Sequence, residues 1–374
     1  MIKKIVLLAV FLIIGIGVFR YVITSKKENI ILNPIPTQNI NSTPSSTSAP
    51  LPLATVVFNN LDTPWSIVFL PDNKILTTER NGKVRLDGKQ IATIEKSKEI
   101  GEGGLLGAAI HPDFSSNHFI YFYYTYAGSD QETKNKVVKM KLENDRLRDE
   151  QTIIDLIPGA SNHNGGRIKF GPDKNLYITT GDAQNPPQAQ DTNKLGGKIL
   201  RVSDEGKPLT DNPFGNLVYS YGHRNPQGLA WDDKGQLYET EHGRSGIVSG
   251  LDELNKIEKG KNYGWPTIQG DETKSNMERS VINSGATTTW APAGLAFYKG
   301  SFYFGGLRGQ ALYKVKVING KPELNEYFKN EFGRIRDVVL GPDNMLYITT
   351  SNQDGRGIPK SEDDKVIRIN PERL

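Results

Sequence analysis

Residues 165–182 read GGRIKFGPDKNLYITTGD: a short apolar run, a Pro-Asp turn, and a second run in which apolar and polar residues alternate. The alternation Leu176-Tyr177-Ile178-Thr179 has the two-residue period of a half-buried strand. Pro172-Asp173 presets the backbone to reverse between the two runs. The same unit returns as PWSIVFLPDNKILTTER from Pro64, PQGLAWDDKGQLYETEHG from Pro226, PAGLAFYKGSFYFGG from Pro292 and IRDVVLGPDNMLYITTS from Ile335. LLGAAIHPDFSSNHFIYFYYTY, from Leu105, is a version with a longer turn. Equivalent points fall near 67, 109, 168, 229, 295 and 338, about 42 to 66 residues apart, the length of a four-stranded propeller blade with loop insertions. Residues 53–374 are therefore expected to form an all-β, six-bladed β-propeller of four-stranded antiparallel blades, with few helices. The strand Thr55–Phe58 is expected to close the ring by pairing with Val366–Ile369.

Ahead of the repeats lie two segments of different composition. Lys3 and Lys4 precede an apolar run from Ile5 to Phe19, continued by Tyr21, Val22 and Ile23. That approaches the ~20 apolar residues of a membrane span, so residues 1–25 read as an uncleaved N-terminal transmembrane helix. Residues 26–52, rich in Pro, Ser, Thr and Asn, cannot bury enough apolar surface to offset their ordering entropy and read as a flexible linker. Positive charges flank both sides of the apolar run almost equally, so hydropathy alone does not orient it. The chain has no cysteine, which removes disulfides and thiolate metal sites. Its formal charge of +4 is dispersed, which argues against a nucleic-acid surface.

Candidate chemistry sits in the connections between repeats, where propeller loops meet the central channel. His163, in Ser161-Asn162-His163-Asn164-Gly165-Gly166-Arg167, is placed for general-base work by a pKa near neutrality. In Tyr221-Gly222-His223-Arg224-Asn225-Pro226-Gln227-Gly228, Arg224 and Asn225 suit a planar, oxygen-rich anion. Glu241-His242-Gly243, Leu251-Asp252-Glu253-Leu254-Asn255 and the Asn262-Tyr263-Gly264-Trp265-Pro266 loop offer the hard oxygens that calcium prefers. Arg334 and Arg336 alternate onto one side of a strand and repel unless an anion or acid lies between them. Arg308 enters an analogous loop one blade earlier.

The runs GEGGLLGAAIHPDF, SNHNGGRIKFGPD, YGHRNPQGLAW, EHG with LDELN and GKNYGWP, APAGLAFY and GRIRDV resemble, in the same order, the soluble aldose sugar dehydrogenases that use pyrroloquinoline quinone (PQQ). These are six-bladed propellers related to soluble glucose dehydrogenase, and the likeness covers essentially residues 55–372. The resemblance implies oxidation of the anomeric carbon of an aldose to the lactone, with His163 as catalytic base and Arg224 polarising the quinone carbonyl. It assigns Asn225, Thr289, Arg308, Arg334 and Arg336 to the cofactor. It places one calcium ion on the carbonyls of Gly243 and Arg244, and a second on the Glu253 carboxylate and the Tyr263 carbonyl. Glu102 stands where the family has a glutamine contacting sugar or cofactor, and Asn162 where an aspartate supports the histidine. His163 is thus expected to lack its supporting carboxylate unless Glu102 supplies one. Thr287 replaces an aromatic residue that covers the substrate, implying broad aldose use, and the loop Arg244–Gly250 is longer than the family's. The likeness also favours an extracytoplasmic catalytic domain held at the cell membrane, monomeric or homodimeric, passing electrons to an unknown acceptor. A calcium-dependent propeller lactonase would need several Glu, Asn and Asp side chains on a channel metal, whereas the channel candidates here are mainly Arg and His. A non-catalytic binding propeller that has lost the quinone is the other alternative.

Overall fold

The structure, a computed structural model, describes residues 51–244 and 249–374. The expected anchor at 1–25 and nearly all of the linker lie outside the described residues. Among those described, no helix is long and apolar enough to cross a membrane.

Six four-stranded antiparallel sheets account for the fold. Their first strands, Pro64–Phe69, Leu105–Ile110, Ile168–Phe170, Pro226–Trp231, Pro292–Tyr298 and Ile335–Leu340, begin blades 1 to 6 and contain the six repeat points read from the sequence. First strands of neighbouring blades pack together over most of the ring, and blades 1 to 5 run outward from them in chain order. The only α-helix among the described residues is the single turn Phe114–Asn117.

The recurring turn has a recurring cause. Asp72, Asp173 and Asp343 each accept, through Oδ1, the N–H of the residue two positions on, at 3.2 Å in all three cases. Between donor and acceptor, Asn73, Lys174 and Asn344 take left-handed φ values of 68°, 60° and 60°. A local carboxylate thus fixes the reversal that joins the first two strands.

One expectation needs correction. Strands Leu176–Thr180 and Leu346–Thr350 are buried on both faces, not half-buried. Blades stack face to face, so alternation sorts side chains between two interblade cores instead of between core and water. Leu176 and Ile178 join one cluster with Tyr121 and Val218, while Tyr177 joins another with Leu229 and Leu237.

Blade 6 draws its outermost strand from the other end of the chain. Ala54–Phe58 pairs with Val366–Ile369 in the register Ala54↔Ile369, Thr55↔Arg368, Val56↔Ile367 and Phe58↔Val366. Val57 and Phe58 also cover a core containing Leu61, Ile67 and Val366. Deleting residues 51–60 therefore leaves a naked sheet edge and an uncovered core. A thermal melt is expected to show Tm lower by on the order of 10 °C; an unchanged Tm would rule the closure out as a stabilising element.

A polar bolt crosses the channel. Arg167, fully buried, stacks over Trp65 (4.2 Å) and sits 3.1 Å from the Asp337 carboxylate. Its Nε donates to the Gln227 carbonyl at 2.9 Å and its NH1 to Ser66 Oγ at 3.3 Å. Asp337 Oδ2 accepts the Ile67 N–H at 2.8 Å, and Lys169 Nζ donates to the Leu229 and Leu295 carbonyls. Blades 1, 3, 4, 5 and 6 are joined by these contacts, directly behind the site described next.

Candidate active site

Loops that lead into the inner strands converge on a cavity of about 440 Å³. Among the described residues, six arginines (224, 244, 308, 334, 336 and 356) line it together with Glu102, Asn162, His163 and Gln227, and no Phe, Tyr or Trp does. Such a lining suits an anionic, oxygen-rich guest better than an apolar one.

His163 has a left-handed backbone, φ 61°, a conformation that costs a non-glycine residue roughly 1–2 kcal/mol. Its surroundings hold it there. The N–H donates to Glu102 Oε2 at 3.2 Å, and the carbonyl accepts from Ala183 N–H at 3.1 Å. Gly181 packs so closely that a Cβ there would lie 1.9 Å from the His163 oxygen. The ring Nδ1 is 2.7 Å from Asp182 Oδ1, and the other Asp182 oxygen accepts Trp265 Nε1–H at 2.8 Å. With Nδ1–H given to the buried carboxylate, Nε2 is the ring's remaining acceptor, in a residue that lines the cavity.

This differs from the expectation of a missing support. The carboxylate comes from Asp182, nineteen residues along the chain, and Glu102 holds the histidine's backbone, not its ring. Asn162 instead accepts from Arg356 NH2 at 2.9 Å, and Arg356 NH1 bonds the second Glu102 oxygen. Burial works to raise the Glu102 pKa, but His242 and Arg356 hold it at about 2. Burial pushes His242's own pKa down, against the pull of Asp252 and Glu102, and Arg356 is the cation that hydrogen-bonds Glu102 directly.

The expected anion-binding groups come together opposite. Arg224 donates its N–H to Glu241 Oε2 at 3.0 Å and lies over the Trp265 ring at 5.3 Å. Asn225 Oδ1 accepts the Gly165 N–H at 3.0 Å, while its buried Nδ2 has no hydrogen-bond partner. Arg334 holds Asp354 Oδ2 through Nε and NH2, at 2.9 and 2.7 Å. Arg336 NH2 is 3.9 Å from the same oxygen, so the acid required between the two arginines is Asp354. Arg336 NH1 donates to Gln227 Oε1 at 2.6 Å; its buried Nε is unpartnered, and burial brings its pKa down to about 9. Thr289 is tied to Asp252, and Arg308 reaches Ser249 from the exposed rim. Thr287, the position without its aromatic residue, is exposed.

The proposed metal positions divide into two places. Gly243 and Arg244 line the cavity: Gly243 N–H donates to Asp252, and the Arg244 carbonyl accepts the Gly250 N–H at 3.3 Å. Residues 245–248 of that loop lie outside the described residues. Glu253 and Tyr263 belong instead to a neighbouring buried recess. Glu253 faces Glu241 across the sheet and Glu239 faces Asn255, while His223 Nδ1 lies 3.5 Å from Glu241 and 3.7 Å from Glu239. Burial, and then the neighbouring carboxylates, raise the pKa of Glu239 and Glu253. Glu239 Oε2, Asn255 Oδ1 and Gln269 Oε1 are buried without partners, a hard-oxygen set that fits calcium. Asp182, Asp354, Arg356 and Glu239 were not singled out from the sequence. Each acts across a long loop or between blades, and none lies in a residue pattern that announces it.

The family model described as Glucose / Sorbosone dehydrogenase matches residues 61–360. The aldose sugar dehydrogenase YliI of Escherichia coli is 33% identical over 338 residues, 80% of this chain and 90% of that protein. The PQQ-bound aldose sugar dehydrogenase of Streptomyces coelicolor is 37% identical with a TM-score of 0.79, covering 85% of this chain and 97% of that one. An oxidoreductase (glucose dehydrogenase) of Thermus thermophilus is 40% identical, also with a TM-score of 0.79, covering 85% and 99%.

Proposed function

The chain belongs to the glucose/sorbosone dehydrogenase family, and from that premise we propose that it oxidises aldose sugars at the anomeric carbon to the lactone, using PQQ and calcium. One observation carries the reading: His163, its Nδ1 on a buried carboxylate, shares a cavity with Arg336, whose buried Nε has no protein partner, and the buried Asn225 Nδ2, next in the chain to the cavity-lining Arg224, has none either. Unpartnered donors of this kind cost free energy unless a ligand meets them, and a tricarboxylate quinone does.

Bound PQQ supplies a two-electron acceptor that takes the hydrogen of the anomeric carbon with its electron pair. Asn225, Thr289, Arg308, Arg334 and Arg336 would hold its carboxylates and ring oxygens. His163 Nε2 removes the proton of the anomeric hydroxyl, and Asp182 fixes the tautomer and stabilises the ring once protonated. Arg224, partly desolvated, offers fixed positive charge where the acceptor oxygen gains electrons. The Gly243 and Arg244 carbonyls are the candidate contacts of a calcium ion beside the cofactor. Glu253 and the Tyr263 carbonyl, with Glu239 and Glu241 beside them, suit a second. The same reading makes residues 1–25 a membrane tether and 26–52 a linker, places the propeller outside the cytoplasm, and hands the electrons to an acceptor not yet identified.

Reconstitution tests it. The purified protein, given PQQ and calcium, is expected to bleach the quinone absorbance when an aldose is added and to reduce an artificial acceptor catalytically. Chelator in place of calcium should abolish turnover. Failure to bind PQQ and failure to bleach it, across a panel of mono- and oligosaccharides, would remove the assignment.

A further inference from the structure

We infer that Arg356 is a positioning residue for His163, acting through Glu102 across the mouth of the cavity; its catalytic consequence rests on the aldose-oxidation reading.

Arg356 stands between the strands Leu346–Thr350 and Val366–Ile369 of blade 6, whereas Glu102 precedes blade 2 and His163 precedes blade 3. The guanidinium spans this gap. One arm binds Glu102 Oε1 and the other binds Asn162 Oδ1, so it grips the residue before the histidine and the carboxylate that takes the histidine's own N–H. Its backbone is fixed as well: the Arg356 N–H donates to Asp354 Oδ1 at 2.9 Å, and Asp354 Oδ2 is clamped by Arg334. A continuous path of charge-assisted bonds therefore runs from Arg334 through Asp354, Arg356 and Glu102 to the left-handed backbone of His163.

The other restraints on that backbone come from one short loop. Ala183 holds the carbonyl and Asp182 the ring, both beside the close-packed Gly181. Glu102 is the restraint that comes from a different blade, and it is effective while its carboxylate is ionised and held. The groups facing Glu102 are Arg356, His242, Arg224, Arg336 and the His163 N–H. Arg356 NH1 is hydrogen-bonded to Glu102 Oε1, so it fixes the direction of the carboxylate and favours its charged form. Half of its side chain reaches solvent, which is unusual for a residue placed between two groups beside the proposed base, and unlike a core residue it can be altered without opening a void.

The experiment compares native enzyme, Arg356→Gln, Arg356→Lys and Glu102→Gln as full chains. For Arg356→Gln, kcat is expected to fall about 10- to 100-fold, the cost of displacing a base by a fraction of an ångström to an ångström. KM for aldose and the Kd for PQQ should change by no more than about threefold. Without the guanidinium, burial raises the Glu102 pKa, so Glu102 loses its charge as pH falls through the weakly acidic range. The kcat profile of Arg356→Gln therefore gains a second acidic limb, beside the one that protonation of the base gives every variant. Arg356→Lys should restore most of kcat and remove the second limb, and Glu102→Gln should lack it. A second readout does not depend on turnover: the histidine ring NMR signals, with His163 assigned through His163→Gln, should shift or broaden for His163 in Arg356→Gln and return in Arg356→Lys. Should native protein oxidise no aldose with PQQ, the functional reading falls while the ring signal still decides the positioning role. An active native enzyme with Arg356→Gln unchanged in kcat, pH profile and His163 signal overturns the inference, and so does an unmoved ring signal in an inactive one.

Discussion

His163→Ala is expected to turn over aldose about a thousandfold or more slowly than the native enzyme, with PQQ bound as tightly as before. General-base removal costs typically 10²- to 10⁴-fold, and this base has a dedicated orienting carboxylate, which places the effect in the upper part of that range. The alanine deletes the Nε2 acceptor but none of the arginines that line the cavity, so affinity for the quinone has no reason to fall. Asp182→Asn keeps the imidazole and disturbs its tautomer, so its kcat should lie between native and His163→Ala. Stopped-flow bleaching of the bound quinone and a fluorescence titration of PQQ separate the two quantities. Persistence of native turnover in His163→Ala would mean that another group removes the proton.

The largest effect on stability is expected at the channel bolt. Asp337→Ala strips the buried Arg167 guanidinium of its counter-charge and leaves the Ile67 and Val338 N–H groups without their acceptor. Burial depresses the Arg167 pKa while Asp337 pulls the other way, so the pair is held in the charged form by mutual attraction. Removing one partner of such a pair costs about 3–5 kcal/mol. In a chain of this size that lowers Tm by about 6–15 °C. Replacing Arg167 and Asp337 together with apolar residues of similar volume should cost much less, because no orphaned charge remains. Chemical denaturation of the single and double variants measures the difference. Equal losses in both would show that packing, and not charge pairing, carries the bolt.

The blade count was legible because its signal is local. Asp173 and its counterparts act on residues two positions away, and the strands that follow repeat their alternation each time. Burial on both faces of those strands was not legible, since Tyr177 looks the same facing water or facing Trp231 of the next blade. The site divides in the same way. His163, Arg224 and Arg336 could be picked out because each adjoins the start of an inner strand and so inherits its place from the repeat. Asp182 lies at the far end of the unit that His163 opens, and only the hairpin brings them to 2.7 Å. Asp354 and Arg356 sit in an irregular segment between strands; Asp354 meets Arg334 through the fold of its own blade, and ring closure brings Arg356 to Glu102, 254 residues away. Nothing in the local composition of SNQDGRGIP distinguishes those two residues from solvated loop charges.

Ring closure also bears on when the protein is finished. The pairing of Ala54 with Ile369 joins two ends of a loop of roughly 300 residues, and closing it costs roughly 5 kcal/mol in chain entropy before any contact is made. At ribosomal rates of about 5–20 residues per second, the first strand waits tens of seconds for its partner. During that interval the ring stays open, and the segment that carries Asp354 and Arg356 has yet to be made. Synthesis thus delivers the histidine long before it delivers the arm that reaches across to it, so the site is complete only once the last blade is made, and a chain truncated before that blade should be inert even when PQQ and calcium are supplied.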